Sequence, residues 1–300
     1  QSMIDSFPNW LPWAEVVFAG PACIICAFLF IILIFVPLPS ACKCFLYLNT
    51  VALFSLAVCQ MFIAEWTEQN NRQIVSEELF YFPLIFAHQF AYFMSTASLF
   101  YLTCERFYLC YHPTFYEKHK LKLLPCLISA VVLESLLVIP LTLMLQYEDT
   151  QHIATLLTSL LNLAIVDLLL VCYRHSQFYY RTQFAKVNLN VRYQVKEVME
   201  LTRVLIPIGC VSLLLKLIVE FLALFVFTNT AHIGTSVLVL RIVATTMAYA
   251  EPLFLMARHR SISRKVVALI TLGRVPTVVE PISISTEDAT RSYFMALRRD

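Results

Sequence analysis

The run VVFAGPACIICAFLFIILIFV, residues 16–36, carries no charged side chain. At 1.5 Å per helical residue it reaches about 30 Å, the thickness of a bilayer's hydrocarbon layer. It is too long and too uniformly apolar for a strand, and it shows no alternation, so it reads as a membrane-spanning helix. Working outward, six further runs have the same character. Residues 44–64 are uncharged, and 79–104 contain only His88 as a titratable base. Residues 123–147 contain Glu134, 153–173 contain Asp167, 204–228 contain Lys216 and Glu220, and 233–257 contain Arg241 and Glu251. With the first span drawn from Trp13, the expected architecture is an all-α membrane protein. It is a bundle of seven transmembrane helices over residues 1–272, followed by a disordered tail at 273–300.

Composition agrees. Hydrophobic residues make up 59% of the 300 and charged residues 14%, against about 25% charged in soluble domains, and the mean hydropathy is +0.72. The charges are sorted by side. Nineteen of the 22 Lys and Arg fall in segments that share one face of the membrane if the N-terminus is outside, which is the positive-inside bias. The opposite connections are acidic (Glu65, Glu68, Glu77, Glu78, Glu148, Asp149), and Trp10, Trp13 and Trp66 lie at that interface. The N-terminus has no basic leader and is expected not to be a signal peptide. The ten cysteines fall in apolar runs or inner segments, so a disulfide framework is not expected. The third inner connection is the longest, about 30 residues, and its second half has helical periodicity leading into the sixth span. After the seventh span, residues 258–272 set Ile262, Val266, Val267 and Ile270 against Arg260, Arg264 and Lys265. That pattern predicts a short basic amphipathic helix on the inner leaflet.

Charges inside a membrane are costly and mark either packing pairs or functional sites. Asp167 with Lys216, Glu220 with Arg241, and Lys216 with Glu220 are each placed at depths that permit pairing. His88, Gln89 and Tyr92 lie close on the third helix, His88 and Tyr92 one turn apart, and suit either a small-ligand pocket or aromatic packing. Glu105-Arg106-Phe107 stands where the third helix leaves the membrane; the acid can hold the Arg in a local ion pair that a partner entering from below would open. Pro207 and Pro252 each remove a helical hydrogen bond and are hinge candidates.

Several chemistries find no support. Asp167 is the lone aspartate in any span, against a two-aspartate intramembrane protease, and no hydrolase, zinc-protease or phosphate-loop motif occurs. The chain is expected not to be an enzyme, to hold no metal or cofactor, and to bind no nucleic acid.

Finer motifs carry a resemblance. Glu105-Arg106-Phe107 is followed by Tyr116-Glu117, Arg192-Tyr193-Gln194-Val195-Lys196-Glu197 leads into Arg203 to Pro207, and Pro252 runs on to Arg258-His259-Arg260. Together with seven spans and an outside N-terminus, this resembles the nematode serpentine chemoreceptors of the Sra superfamily, a group of G-protein-coupled receptors. The resemblance implies a plasma-membrane receptor, in sensory neurons and their cilia, that detects a small chemical or pheromone and activates a heterotrimeric G protein. On that reading His88, Gln89, Tyr92, Asn162, Glu220, Phe221 and Arg241 are the ligand candidates. Glu105, Arg106, Arg192, Tyr193, Gln194 and Lys196 are the candidates for coupling. Homo- or hetero-oligomers are compatible with it. Two other functions fit the spans: a ligand-gated channel or transporter lined by the buried charges, and a non-signalling scaffold or co-receptor.

Overall fold

The computed structural model describes residues 11–36, 38–69, 81–112, 122–146, 148–183, 189–228 and 233–271. Among them the regular secondary structure is all α-helix. The long helices are α1 (Leu11–Phe35), α2 (Ser40–Gln69), α3 (Tyr81–Tyr111), α4 (Leu123–Gln146), α5 (Glu148–Gln183), α6 (Leu189–Thr228) and α7 (Ile233–Arg258), and α8 (Arg260–Ile270) is short. Five stretches are long and apolar enough to cross a membrane: Val16–Phe35, Ser40–Glu65, Leu123–Leu145, Ile153–Thr182 and Val195–Val219. This is the architecture of a multi-pass membrane protein. The expected tail, 273–300, lies outside the described residues.

α3 is not among the five, and its burial explains why. It packs against α2, α4, α5 and α6, and Ser95, Thr96, Ser98, Thr103 and Arg106 are all buried. A helix walled in by its neighbours need not be apolar all round. The hydroxyls of Thr50, Thr103, Thr142, Thr158 and Thr202 each donate to the carbonyl four residues back, at 2.7–2.9 Å. Each polar group is thereby satisfied within its own helix.

The main apolar core draws on α1 (Leu29, Ile32, Leu33), α3 (Leu99, Leu102), α5 (Ile165, Leu169), α6 (Leu201, Leu205, Ile208) and α7 (Leu255, Met256). It fills the half of the bundle that contains the C-terminal end of α3. Lys43 closes the adjoining end of α1, donating to the carbonyls of Ile34 at 3.0 Å and Val36 at 3.3 Å.

The connection ahead of the sixth span, expected to be helical in its second half, is helix from Leu189, and its first half is helical too, α5 running on to Gln183. α5 keeps its apolar character to Thr182, and α6 begins at Leu189, ahead of its apolar stretch from Val195. The amphipathic helix begins later than expected. His259 breaks the chain between α7 and α8 and caps α8, its Nδ1 accepting from the Ile262 backbone N–H at 3.4 Å. Ile262 is wholly buried and Val266 packs on the core, while Arg260, Arg264 and Lys265 are exposed.

Candidate functional site

Lys216 on α6 is 0% exposed. Its Nζ donates to Thr96 Oγ1 on α3 at 2.5 Å and to Asn162 Oδ1 on α5 at 3.4 Å, and it lies 5.5 Å from the centre of the Tyr92 ring. A cation sunk into the bundle is held by two polar oxygens and an aromatic face. Asn162 is itself fixed, its Nδ2 donating to the Thr158 carbonyl at 2.8 Å. Three helices are joined at one polar point, displaced from the main apolar core toward the N-terminal end of α3. Tyr92 packs edge-on to Phe93, and His88 and Gln89, both half-buried, stand one turn further along α3.

Ten residues, or about 15 Å, separate Thr96 from Arg106 at the other end of α3. Arg106 is also 0% exposed. Its Nε donates to Glu105 Oε2 at 2.6 Å and its Nη2 to Glu105 Oε1 at 3.0 Å, a two-pronged ion pair. The guanidinium charge is felt at Cys42 on α2, Glu197 on α6 and His259. Burial, with Arg106 adding to it, pushes the His259 imidazole down to about 4. Arg106 therefore sits where α2, α3, α6 and the α7–α8 corner converge.

Between these two points lies a third polar contact. Asn49 Nδ2 on α2 donates to Glu251 Oε2 on α7 at 3.3 Å, beside a cavity of about 10 Å³ lined by Thr50, Leu99, Leu205 and Pro252. That volume is on the scale of a single water. On the α4 side of α3, Ser98 donates to the buried carboxyl of Glu134 at 2.9 Å.

The structure does not assemble every candidate. Asp167 and Lys216 do not pair: Asp167 is exposed on α5 while Lys216 points inward. Asp167 follows Asn162 by five residues, which rotates it about 140° around the helix, so the face that presents Asn162 to Lys216 turns Asp167 away. The same rotation separates Phe221 from Lys216, and Phe221 is 69% exposed outside the cluster. The side chains of Glu220, Arg241, Arg192, Tyr193 and Gln194 lie outside the described ones. Lys196 and Pro207 are half-buried on α6, and Pro252 is buried beside Glu251. Thr96 and Asn49 join the site with no motif to mark them, each being only a polar residue within an apolar run, whereas Glu251 is marked in the sequence as a charge within a span. Among the described residues no group of three His, Cys, Asp or Glu side chains gathers to hold a metal, and all ten cysteines are free thiols. No protein-family model matches this sequence, and none of the curated proteins matches it.

Proposed function

We propose that the chain is a seven-span receptor of the plasma membrane, with its N-terminus outside, that detects a small chemical and activates a heterotrimeric G protein, as its resemblance to the serpentine chemoreceptors implies. The observation that carries this reading is that one helix, α3, holds both a polar cluster and, about 15 Å along it, a buried Arg locked to its neighbour. On this reading the outer cluster of Lys216, Thr96, Asn162 and Tyr92, with His88 and Gln89 above it, is the floor of the ligand site. A ligand carrying a hydrogen-bond acceptor or an anionic group competes for Lys216 and loosens the tie between α3, α5 and α6. The inner end of α6 then swings about Pro207, and Arg106 leaves Glu105 to meet the G protein. The ligand acts by favouring one of two arrangements of the bundle. α8 rests its basic side on anionic lipid of the inner leaflet.

The test is a small-molecule panel applied to cells that express the chain, read by G-protein dissociation. A response in the native chain that disappears in Arg106→Ala, at equal surface expression, is the expected result. An ion current that survives in Arg106→Ala would replace the receptor reading with a channel.

A further inference from the structure

α5 turns one face away from the bundle. Leu156, Leu160, Leu163, Asp167 and Leu170 are all exposed on it. Their spacing alternates between four and three, the repeat of a helix-pairing seam, and the carboxyl of Asp167 stands within it. The exposed faces of the flanking helices differ. α4 from Leu123 to Leu143 and α6 from Cys210 to Ile218 expose no charged residue.

Depth makes the carboxyl harder to account for as a bystander. Asp167 lies inside the apolar stretch Ile153–Thr182. The next charge toward the C-terminal end of α5 is Arg174, seven residues or about 10 Å away. The next toward the N-terminal end is Asp149, eighteen residues or about 27 Å away. A two-bond side chain spans neither distance, unlike the long stems of Lys and Arg. Among the described residues no hydrogen bond or ion pair reaches Asp167. A polar group facing lipid is unfavourable, and a partner that satisfies it is gained on helix association.

We propose that this face of α5 docks a transmembrane helix of a different membrane protein, one that carries a Lys or Arg at mid-membrane, with Asp167 as its counter-ion. The leucines above and below supply the seam and Asp167 selects the partner and its register. Charge decides against a second copy of this chain. A two-fold contact through α5 would set Asp167 against its own equivalent, and the exposed cation of α6, Arg203, lies about 9 Å along its helix from Gly209, which packs level with Val166 and Leu169 of α5. The inference stands independently of the receptor reading.

The experiment uses the full chain in lipid vesicles, labelled for energy transfer, with two synthetic probes. One is a leucine-based transmembrane peptide with a single central Lys; the other has Leu at that position. The native chain is expected to associate with the Lys peptide about tenfold more tightly than with the Leu peptide. Asp167→Leu should abolish that preference, and Asp167→Asn should reduce it. Because the side chain is exposed, both variants should keep the native thermal transition. Equal association with the two peptides, or a preference that persists in Asp167→Leu, would overturn the proposal. Energy transfer between two labelled copies that Asp167→Leu removes would overturn it as well, by making a second copy the occupant.

Discussion

Arg106 Nε lies 2.6 Å from Oε2 of Glu105, the residue before it in the chain. Adjacent residues on a helix point about 100° apart, so this pair requires both side chains to bend toward one another around the helix end. Arg106 gains from it a counter-charge on its own helix. It stands where α6 and the α7–α8 corner converge, and the Arg106 charge is felt at both Glu197 and His259. Those are the elements a switch at the end of α3 would have to move.

Lys216 ties α3 to α5 and α6. Lys216→Ala removes two charge-assisted hydrogen bonds and leaves a cavity in a closed interior. The expected loss is about 2–4 kcal/mol, read as a lower thermal transition in detergent micelles by a thiol-reactive dye. Lys216→Met keeps most of the volume and is expected to cost less than half as much. On the receptor reading both variants lose the ligand response, which separates the role of the charge from that of the fold.

His259 contributes a pH dependence. Its folded-state pKa is held near 4, below the ordinary value of 6.5, because the folded chain buries the neutral imidazole against Ile262 N–H. The unfolded chain therefore takes up a proton first as pH falls. Stability from this group is fully present above about pH 6.5 and drains away between 6.5 and 4, by about 3 kcal/mol at 1.36 kcal/mol per unit. His259→Asn keeps a side-chain acceptor for the cap but has nothing to titrate. Thermal transitions of the two proteins measured from pH 7.5 to 4.5 should diverge as the pH falls, with the native chain losing more. Parallel curves would contradict the assignment.

Gly209 faces α5 at a point on α6 between Lys216 and Pro207. A Cβ placed there would stand 3.3 Å from Leu169 Cδ1 and 3.6 Å from Val166 Cγ2. The Leu169 methyl is the end of a flexible side chain, so Gly209→Ala should be tolerated within about 1 kcal/mol, the more so because Ala is the better helix former. Gly209→Leu cannot be housed without parting the helices and should lower stability by about 1–3 kcal/mol. The check is a thermal series over the two variants.

The sequence made some of this legible and not the rest. Uncharged runs such as 16–36 announce membrane helices because lipid admits no other backbone arrangement. α3 was legible as a helix but not as the buried centre. Only its mixture of Ser95, Thr96 and Ser98 with aromatics hinted that neighbours, not lipid, surround it. Depth along a span could be counted, and it put Asp167 near Lys216; rotation about the axis could not, and rotation is what turned Asp167 outward. Asn49 escaped attention because a single amide in a charge-free run has no local pattern, and it finds Glu251 only across 202 positions of sequence. The first half of the α5–α6 connection does not read as helix because its basic residues fit a positive inner side, whereas a helix that outruns the membrane can carry the same charges.

The central claim is that the Glu105–Arg106 pair restrains a receptor, and it can be tested without knowing the ligand. The measurement is nucleotide exchange on a purified heterotrimeric G protein by the full chain in lipid nanodiscs, comparing the native protein with Glu105→Gln and Arg106→Ala. Glu105→Gln removes the counter-charge and frees the guanidinium, so it should raise ligand-independent exchange about five- to tenfold, as expected for release of about 1–1.4 kcal/mol of restraint. Arg106→Ala should give none above the G protein alone. Equal exchange by all three proteins would contradict the account.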